Sequence, residues 1–158
     1  MPSAFDRKLL STREALAKRD WPRPLVFTNG VFDVLHVGHV QCLAQARALG
    51  ASLLVALNSD ASARGLGKGP GRPLNREHDR ALVIAALAAV DFVTLFEEAT
   101  PCELIEQLKP DVYVKGGDYD MATLRETVLM QQWGGRSVAI PFVEGYSTTR
   151  LVERIRSC

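Results

Sequence analysis

Two histidines separated by two residues, His36 and His39, have the spacing in this chain that most clearly indicates chemistry. Gly38 lies between them, and the residues that follow have the pattern of a helix. A glycine lets an anion approach the backbone, and the free N–H groups and positive dipole end of a new helix attract phosphate. Two imidazoles at that point could reach one phosphate chain and stabilise the charge that builds up during phosphoryl transfer.

The same histidine spacing also occurs as a chance surface feature or as half of a zinc site. A zinc site needs further ligands. His78 and three scattered cysteines, Cys42, Cys102 and Cys158, offer candidates but no local spacing that supports one. The apolar run before the pair, the glycine within it and the helix after it favour phosphate chemistry. We therefore predict no dedicated protein metal site.

A second group of polar residues follows the next apolar run. Asn58 and Asp60 come first, and a glycine-punctuated basic segment contains Lys68 and Arg72, with Arg80 beyond it. Flexible glycines and cations suit a lid over a polyphosphate, and arginine can hold phosphate oxygens in a bidentate way. The alternative is a solvated basic loop, which we favour only for the neighbouring Arg64.

Two further groups lie near the end of the chain. Lys115 ends an apolar run and is followed by Gly116, Gly117 and Asp118, so it could point into a ligand crevice. The segment 147–149, Ser-Thr-Thr, starts the last helical pattern. Its hydroxyls and free amides form either an anion nest or an ordinary N-cap.

The elements that must position these residues alternate along the chain. Apolar runs at 25–28, 52–57, 92–96, 111–115 and 137–140 predict strands, and helical patterns cover 3–19, 38–49, 76–89, 101–108, 121–133 and 147–156. The strands are apolar throughout, which is typical of a parallel sheet with helices on both faces. Ligands of such sheets bind beyond the carboxyl ends of the strands, where the polar groups above are found.

The bulk properties narrow the class of protein. A length of 158 residues indicates one domain, with an N-terminal helix in 1–22 and a catalytic core in 24–156. A formal net charge of +1 gives no global field for nucleic acid or a membrane surface. No apolar run approaches the roughly 20 residues that span a bilayer. Together with unpaired cysteines, these properties predict a cytoplasmic protein.

The motifs, taken in order, resemble one known superfamily. They are the segments 29–33 (Asn-Gly-Val-Phe-Asp), 36–39 (His-Val-Gly-His), 58–62 (Asn-Ser-Asp-Ala-Ser), 71–74 (Gly-Arg-Pro-Leu), 114–119 (Val-Lys-Gly-Gly-Asp-Tyr) and 147–149. This set resembles the HxGH nucleotidyltransferases, which include cytidylyltransferases and adenylyltransferases, over residues 25–156. The resemblance implies a Rossmann-like, doubly wound parallel sheet of five strands with helices on both faces.

The resemblance also implies an activity. The branch that this chain most resembles transfers AMP from ATP to D-glycero-β-D-manno-heptose 1-phosphate, which gives ADP-heptose and pyrophosphate for lipopolysaccharide core biosynthesis. It implies catalytic roles for His36, His39 and Lys68. The nucleotide-binding residues would be Thr28, Asn29, Gly30, Val31, Phe32, Gly38, Arg72, Arg80, Ser147, Thr148 and Thr149. The substrate-binding residues would be Asp33, Asn58, Asp60, Lys115, Gly116, Gly117 and Asp118.

The resemblance further predicts Mg²⁺ held mainly by ATP phosphates, and a homodimer or other homo-oligomer. Tyr146 stands where the superfamily often has isoleucine, and the sequence leaves its effect on the base pocket open. Several alternatives stay open: another phosphorylated acceptor (glycerol phosphate, phosphopantetheine, FMN or a mononucleotide), CTP in place of ATP, or a regulatory nucleotide-binding module without turnover. A nucleic-acid partner has little support at this net charge.

Overall fold

Strands and helices alternate in the computed structural model of the chain, which describes residues 3–158. The strands are β1 (Leu25–Gly30), β2 (Ser52–Asn58), β3 (Phe92–Phe96), β4 (Val112–Gly116) and β5 (Arg136–Ile140). The helices are α1 (Thr12–Ala17), α2 (Val37–Arg47), α3 (Asp60–Gly65), α4 (Glu77–Ala85), α5 (Cys102–Leu108), α6 (Arg125–Met130) and α7 (Thr148–Ser157). Short 3-10 turns occupy Asp6–Lys8, Met121–Thr123 and Gln131–Trp133.

All five strands are parallel and form one sheet in the order β3-β2-β1-β4-β5. The chain moves outward from β1 to β2 and β3, and then crosses back to β4 on the other side of β1. This reversal makes the doubly wound topology that the resemblance implied, and that prediction is confirmed. A topological switch point therefore lies between β1 and β4, and it opens a crevice beyond their carboxyl ends.

Each face of the sheet packs against its own layer of helices. On β1, Val26 joins the core under α2 and α4, while its neighbour Phe27 joins the core under α1, α5 and α6. On β2, Leu53 and Leu54 divide between the same two cores. Because successive strand residues face opposite sides, strands buried on both faces must be apolar at every position. This explains the continuous apolar runs of the sequence.

The predicted N-terminal helix over 3–19 is wrong. After the turn at Asp6–Lys8 the chain is extended: Leu9 bridges Val93 and the Leu10 N–H donates to the Val93 carbonyl at 2.9 Å. Ser11 then caps α1 by accepting from the Glu14 N–H. A serine that can cap a helix ends the pattern before it, so the apolar spacing of this segment serves an edge contact and a short helix. Met1 and Pro2 lie outside the described residues.

Other element boundaries moved by smaller amounts. The predicted helix over 121–133 is one α-helical turn and a half, α6, flanked by two 3-10 turns. The segment predicted as a loop from residue 62 begins inside α3, whose N-cap Ser59 accepts from the Ser62 N–H. Within the range 3–158 no helix is long and apolar enough to cross a membrane.

Arg80 on α4 requires a correction. Its side chain is fully buried, and its guanidinium donates to the carbonyls of Asn75, Val31 and Asn58 and to the Asp60 carboxylate, at 2.6–3.0 Å. These bonds tie the ends of β1 and β2 to α4. The guanidinium therefore faces backbone oxygens rather than the crevice, and we assign Arg80, with Asp60, to positioning the site instead of binding ligand.

Replacing Arg80 should lower the free energy of unfolding. In Arg80→Met the Asp60 carboxylate and the strand-end carbonyls lose their donor, which we expect to cost about 3 kcal/mol. Denaturant unfolding followed by circular dichroism measures the change. Arg76→Met, at an exposed position one helical turn earlier, is the matched control and should change stability by less than about 0.5 kcal/mol. Equal stability of the two variants would contradict the role of Arg80.

Candidate functional site

A cavity of about 1040 Å³ lies beyond the carboxyl ends of β1 and β4. The loop after β1, the start of α2, the basic loop after α3 and the segment from β5 to α7 form its walls. All the residues predicted to bind or react line it except four: Asp60, Arg80, Gly117 and Asp118. The fold thus brings together most of a set that is scattered over the sequence from Thr28 to Thr149.

His36 and His39 interlock at the start of α2. His36 is the N-cap, and its Nδ1 accepts from the Gly38 N–H at 3.1 Å. In return, Nδ1 of His39 accepts from the His36 N–H at 3.3 Å, and the two rings stack with their centroids 4.0 Å apart. Gly38 is required because a Cβ there would lie 2.9 Å from the His36 ring.

These hydrogen bonds select the protonation of both rings. Each Nδ1 accepts from a backbone N–H, so it carries no proton, and a neutral ring must then carry its proton on Nε2. The two Nε2–H groups are therefore free to donate to a ligand in the cavity. A pair of neutral donors held in fixed positions suits the oxygens of a phosphate chain.

The environment keeps the imidazoles neutral. Burial lowers the pKa of His36, and it lowers the pKa of His39 to about 4, with the positive charges of His36 and Lys68 adding to the effect. Lys68 and Arg72 of the basic loop line the same cavity as the two uncharged imidazoles.

Phe32 packs beside the histidines. Its backbone φ of 50° lies in the left-handed region that residues other than glycine rarely adopt. Its ring centroid lies 5.4 Å from that of His39. A Cβ at Gly30 would lie 2.9 Å from the Phe32 ring, so the glycine makes room for the aromatic side chain. The strained turn thus places a ring against His39, which contributes to the burial of that imidazole.

Asp33 anchors the basic loop instead of presenting its carboxylate to substrate. It accepts from Nε of Arg72 at 2.9 Å and from the N–H groups of Leu74 and Asn75. Burial opposes ionisation, but these hydrogen bonds outweigh it and hold the pKa of Asp33 below its usual value. We therefore correct its predicted role to positioning of Arg72 and of the loop end.

The basic loop between its anchors is open. Gly67, Gly69 and Gly71 all have positive φ, and a Cβ at any of them would meet nothing within 4 Å. Lys68 sits between two of these glycines and lines the cavity. The loop is therefore anchored at Arg72 through Asp33. The glycines around Lys68 have open space beside them, which a lid needs in order to change conformation.

The start of α7 closes the cavity on the side of His36. The Thr148 hydroxyl donates to the Val34 carbonyl at 3.1 Å, and Ser147 accepts from the Arg150 N–H. Tyr146 stacks against His36 with ring centroids 6.4 Å apart. The first amides of α7 have no intrahelical acceptor, so they can face an anion.

The end of β4 forms the opposite wall. Lys115 and Gly116 line the cavity, and Nζ of Lys115 lies 4.4 Å above the Tyr119 ring. Gly117 has φ of +121°, and a Cβ there would lie 2.8 Å from Phe142, which is why glycine occupies the turn. Gly117 and Asp118 themselves lie outside the cavity wall, so their predicted contact with substrate is not supported by this geometry.

Several wall residues had no sequence signal, among them Glu126 and Phe142. Cys42 was considered only as a metal ligand, Tyr119 only as the end of the segment 114–119, and Tyr146 only as a departure from isoleucine. Glu126 and Phe142 belong to no spaced motif, and each type is common on helices or loops. Asn58, which was predicted, lines the cavity but donates its amide to the Ser62 hydroxyl. Only the three-dimensional arrangement distinguishes such residues from ordinary packing.

Within residues 3–158 no group of three or more His, Cys, Asp or Glu side chains is placed to hold a metal ion. Asp33 in the cavity wall is already engaged by Arg72. This donor set fits a cation such as Mg²⁺ only if phosphate oxygens and water supply most of its ligands, which is the usual state of Mg²⁺ on nucleotides.

The lowered pKa of His39 predicts a pH effect on stability. The unfolded chain binds a proton near pH 6.5 and the folded chain only near 4, so stability falls as the pH is lowered between these values. From pH 7 to 5 we expect a loss of about 1 kcal/mol through His39, half of the full linkage value because the ring is partly exposed.

Denaturant unfolding at both pH values measures this loss. In His39→Asn, the Oδ1 atom can replace Nδ1 as acceptor of the His36 N–H, but the side chain does not titrate. Between pH 7 and 5 the free energy of unfolding of the variant should fall by about 1 kcal/mol less than that of the wild type. An unchanged pH dependence would mean that His39 titrates normally in the folded protein.

Comparison with known proteins identifies relatives of this chain. The chain is 60% identical over 155 residues to a D-beta-D-heptose 1-phosphate adenylyltransferase of Bordetella bronchiseptica, covering 96% of each. It is 51% identical over 146 residues to the bifunctional protein HldE of Syntrophotalea carbinolica, of which it spans only 30%.

Among solved structures, the fold matches a lipopolysaccharide core biosynthesis protein of Thermoplasma volcanium with a TM-score of 0.64 and 30% identity, over 78% of this chain and 98% of that one. The cytidylyltransferase-like family matches residues 27–154, which include the strand before the histidine pair, the basic loop and the start of α7. With the doubly wound sheet and the interlocked histidines at its switch point, this match shows that the chain belongs to the cytidylyltransferase-like family of nucleotidyltransferases.

Proposed function

We propose that this chain transfers AMP from ATP to D-glycero-β-D-manno-heptose 1-phosphate, with ADP-heptose and pyrophosphate as products. The observation that carries the proposal is the pair of Nε2–H donors of His36 and His39 beside Lys68 in the cavity, in a chain 60% identical to a heptose 1-phosphate adenylyltransferase. ADP-heptose made in this way serves lipopolysaccharide core biosynthesis.

The reaction needs alignment more than acid–base chemistry. An oxygen of the sugar phosphate forms a bond to the α-phosphorus of ATP, and the bond from that phosphorus to the bridging oxygen of pyrophosphate breaks. A phosphate monoester is mostly ionised at neutral pH, so no base has to remove a proton from it. The protein must hold two anions in line and offset their repulsion.

The cavity residues divide this task by position. The Nε2–H groups of His36 and His39 donate to the oxygens that gain charge in the transition state. Lys68 and Arg72 balance the charge of the leaving pyrophosphate, and the amides at the start of α7 bind the same phosphates. Mg²⁺, bound mainly through ATP phosphates, supplies further charge neutralisation when present.

Lys115, on the opposite wall, is the residue we assign to the phosphate of the acceptor. Its ammonium group lies over Tyr119 rather than in an ion pair, so an incoming anion has no carboxylate to displace. A homo-oligomeric assembly and a cytoplasmic location remain part of the proposal. They are supported by analogy with the superfamily and by composition, respectively.

The proposal is tested by pyrophosphate release from purified protein. ATP and D-glycero-β-D-manno-heptose 1-phosphate should give turnover that requires Mg²⁺, while CTP, glycerol phosphate, phosphopantetheine, FMN and nicotinamide mononucleotide serve as competing substrates. Faster turnover with CTP would change the assigned nucleotide, and faster turnover with another acceptor would change the assigned acceptor. Binding of ATP without pyrophosphate release on any acceptor would favour a regulatory module.

Lys115→Ala should raise the KM for the sugar phosphate by about 10-fold or more, since a charge-assisted hydrogen bond is worth roughly 1.5–3 kcal/mol. The KM for ATP should change much less. Lys18→Ala, on the far side of the domain, is the matched control and should leave both constants unaltered. An unchanged KM for the sugar phosphate in Lys115→Ala would remove this residue from the acceptor site.

A further inference from the structure

Glu126 is a buried acid in the cavity wall that the reaction described above does not use. It lies in the first turn of α6, its side chain belongs to a residue only 7% exposed, and it borders the cavity. Across residues 3–158 no hydrogen bond or ion pair engages its carboxylate, whereas Asp33 and Asp60 each bind an arginine.

A carboxylate without a protein partner in this wall depends on the cavity for water or a ligand at its oxygens. Removing a charged group from water without a partner is unfavourable by several kcal/mol, and buried acids are therefore normally paired or hydrogen-bonded. Lys115 is the cation on the same wall, but its ammonium group lies over the Tyr119 ring. The oxygens of Glu126 thus keep free lone pairs at the cavity surface.

Tyr113 is a polar neighbour of Glu126 whose hydroxyl is bonded elsewhere. Tyr113 is two residues before Lys115 on β4, so both side chains face the same side of the sheet. The Tyr113 hydroxyl is directed elsewhere, donating to Oδ1 of Asn29 at 3.0 Å. Burial raises the pKa of Tyr113, and the negative charge of Glu126 raises it further, so this phenol stays protonated. The phenol therefore lies near Glu126 without satisfying it.

The chemistry of an unpaired carboxylate limits what it can bind. It accepts hydrogen bonds and donates none when ionised, so it repels phosphate. A metal ion would need more acidic ligands than this wall offers, since no such cluster occurs in the described range. Hydroxyl groups remain, and two adjacent carboxylate oxygens match two adjacent hydroxyls. Both substrates of the proposed reaction, on which this inference rests, carry such a pair.

We propose that Glu126 accepts hydrogen bonds from the vicinal hydroxyls of a sugar ring, either the ribose of the nucleotide or the ring of the acceptor. The carboxylate of Glu126 then attracts the hydroxyl groups of a substrate, while the ammonium group of Lys68 attracts its phosphates, and together they set its orientation. Phosphates are held toward the histidines and Lys68, and the polyol lies toward α6. Glu126 is thus a specificity-determining residue rather than a participant in bond making.

Equilibrium binding tests this without requiring turnover. Isothermal titration calorimetry measures the Kd of Mg²⁺·α,β-methylene ATP, and then the Kd of the heptose 1-phosphate with that analogue present. Glu126→Gln keeps one acceptor oxygen, and Glu126→Met keeps none at similar volume. We expect Glu126→Met to weaken one of the two ligands by about 10- to 100-fold and Glu126→Gln to weaken it less.

Deoxy nucleotides identify which sugar is bound. If the ribose is the ligand, 2′-deoxy and 3′-deoxy ATP bind the wild type more weakly than ATP does, and Glu126→Met abolishes that difference. If the acceptor is the ligand, the nucleotide Kd stays the same and the sugar phosphate Kd rises. Glu106→Gln, an exposed glutamate on α5, is the matched control and should alter neither Kd.

The result that overturns the inference is a Glu126→Met protein, folded by circular dichroism, whose two Kd values both stay within about twofold of wild type. If that variant also has a higher free energy of unfolding than the wild type, Glu126 only destabilises the fold and binds no sugar. Failure of the proposed function appears separately, as absence of pyrophosphate release by the wild type. If Glu126→Met does not fold, Glu126→Gln decides by the same criterion.

Discussion

The reciprocal hydrogen bonds between His36 and His39 are the constraint on which the site depends. Each ring accepts a hydrogen bond from a backbone N–H of the helix start, so both side chains help to fix the residue at which the helix begins. The same bonds leave both Nε2–H groups as donors and require Gly38 beneath the His36 ring. The same arrangement that caps the helix therefore sets the two donors on which the proposed ligand recognition rests.

Around this pair, the polar residues of the cavity fall into two physical kinds. Arg80 and Asp33 have all or most of their hydrogen-bonding capacity taken up by the protein itself, and they fix the strand ends and the basic loop. His36, His39, Lys68 and Glu126 keep unused capacity toward the cavity. Buried polar groups are costly unless satisfied, so unused capacity in a folded protein marks where a ligand completes the set.

This division explains how far the sequence could be interpreted. The apolar runs predicted all five strands within one or two residues, and their parallel orientation, because burial on both faces dictates composition directly. The histidine motif predicted the cavity because it combines a strand end, a glycine and a helix start. The N-terminal helix failed at Ser11, where local capping outweighs apolar spacing.

Residue roles were harder to predict than elements. Arg80, Asp33 and Asp60 have the types expected of ligand contacts. Sequence alone does not reveal that Asp33 is paired with Arg72 and Asp60 with Arg80. Glu126 has the opposite problem, since a glutamate in the first turn of a helix is common and its burial depends on how α6 packs against β4. Charge type can be read from sequence, but whether a charge is already satisfied cannot.

The electrostatics of the cavity follow from these contacts. A histidine pair with lowered pKa contributes no net charge near neutral pH, and Arg72 is largely balanced by Asp33. Lys68 on the basic loop, Lys115 at the end of β4 and Arg150 at the start of α7 are the other basic side chains that line the cavity. In the proposed reaction Lys68 faces the triphosphate and Lys115 faces the phosphate of the acceptor. Each cation lowers the repulsion between the two anions, and each anion keeps its own binding position. The proposed binding of a triphosphate is compatible with a net charge near zero because Lys68, Arg72, Lys115 and Arg150 all line the cavity at the point where the fold reverses direction.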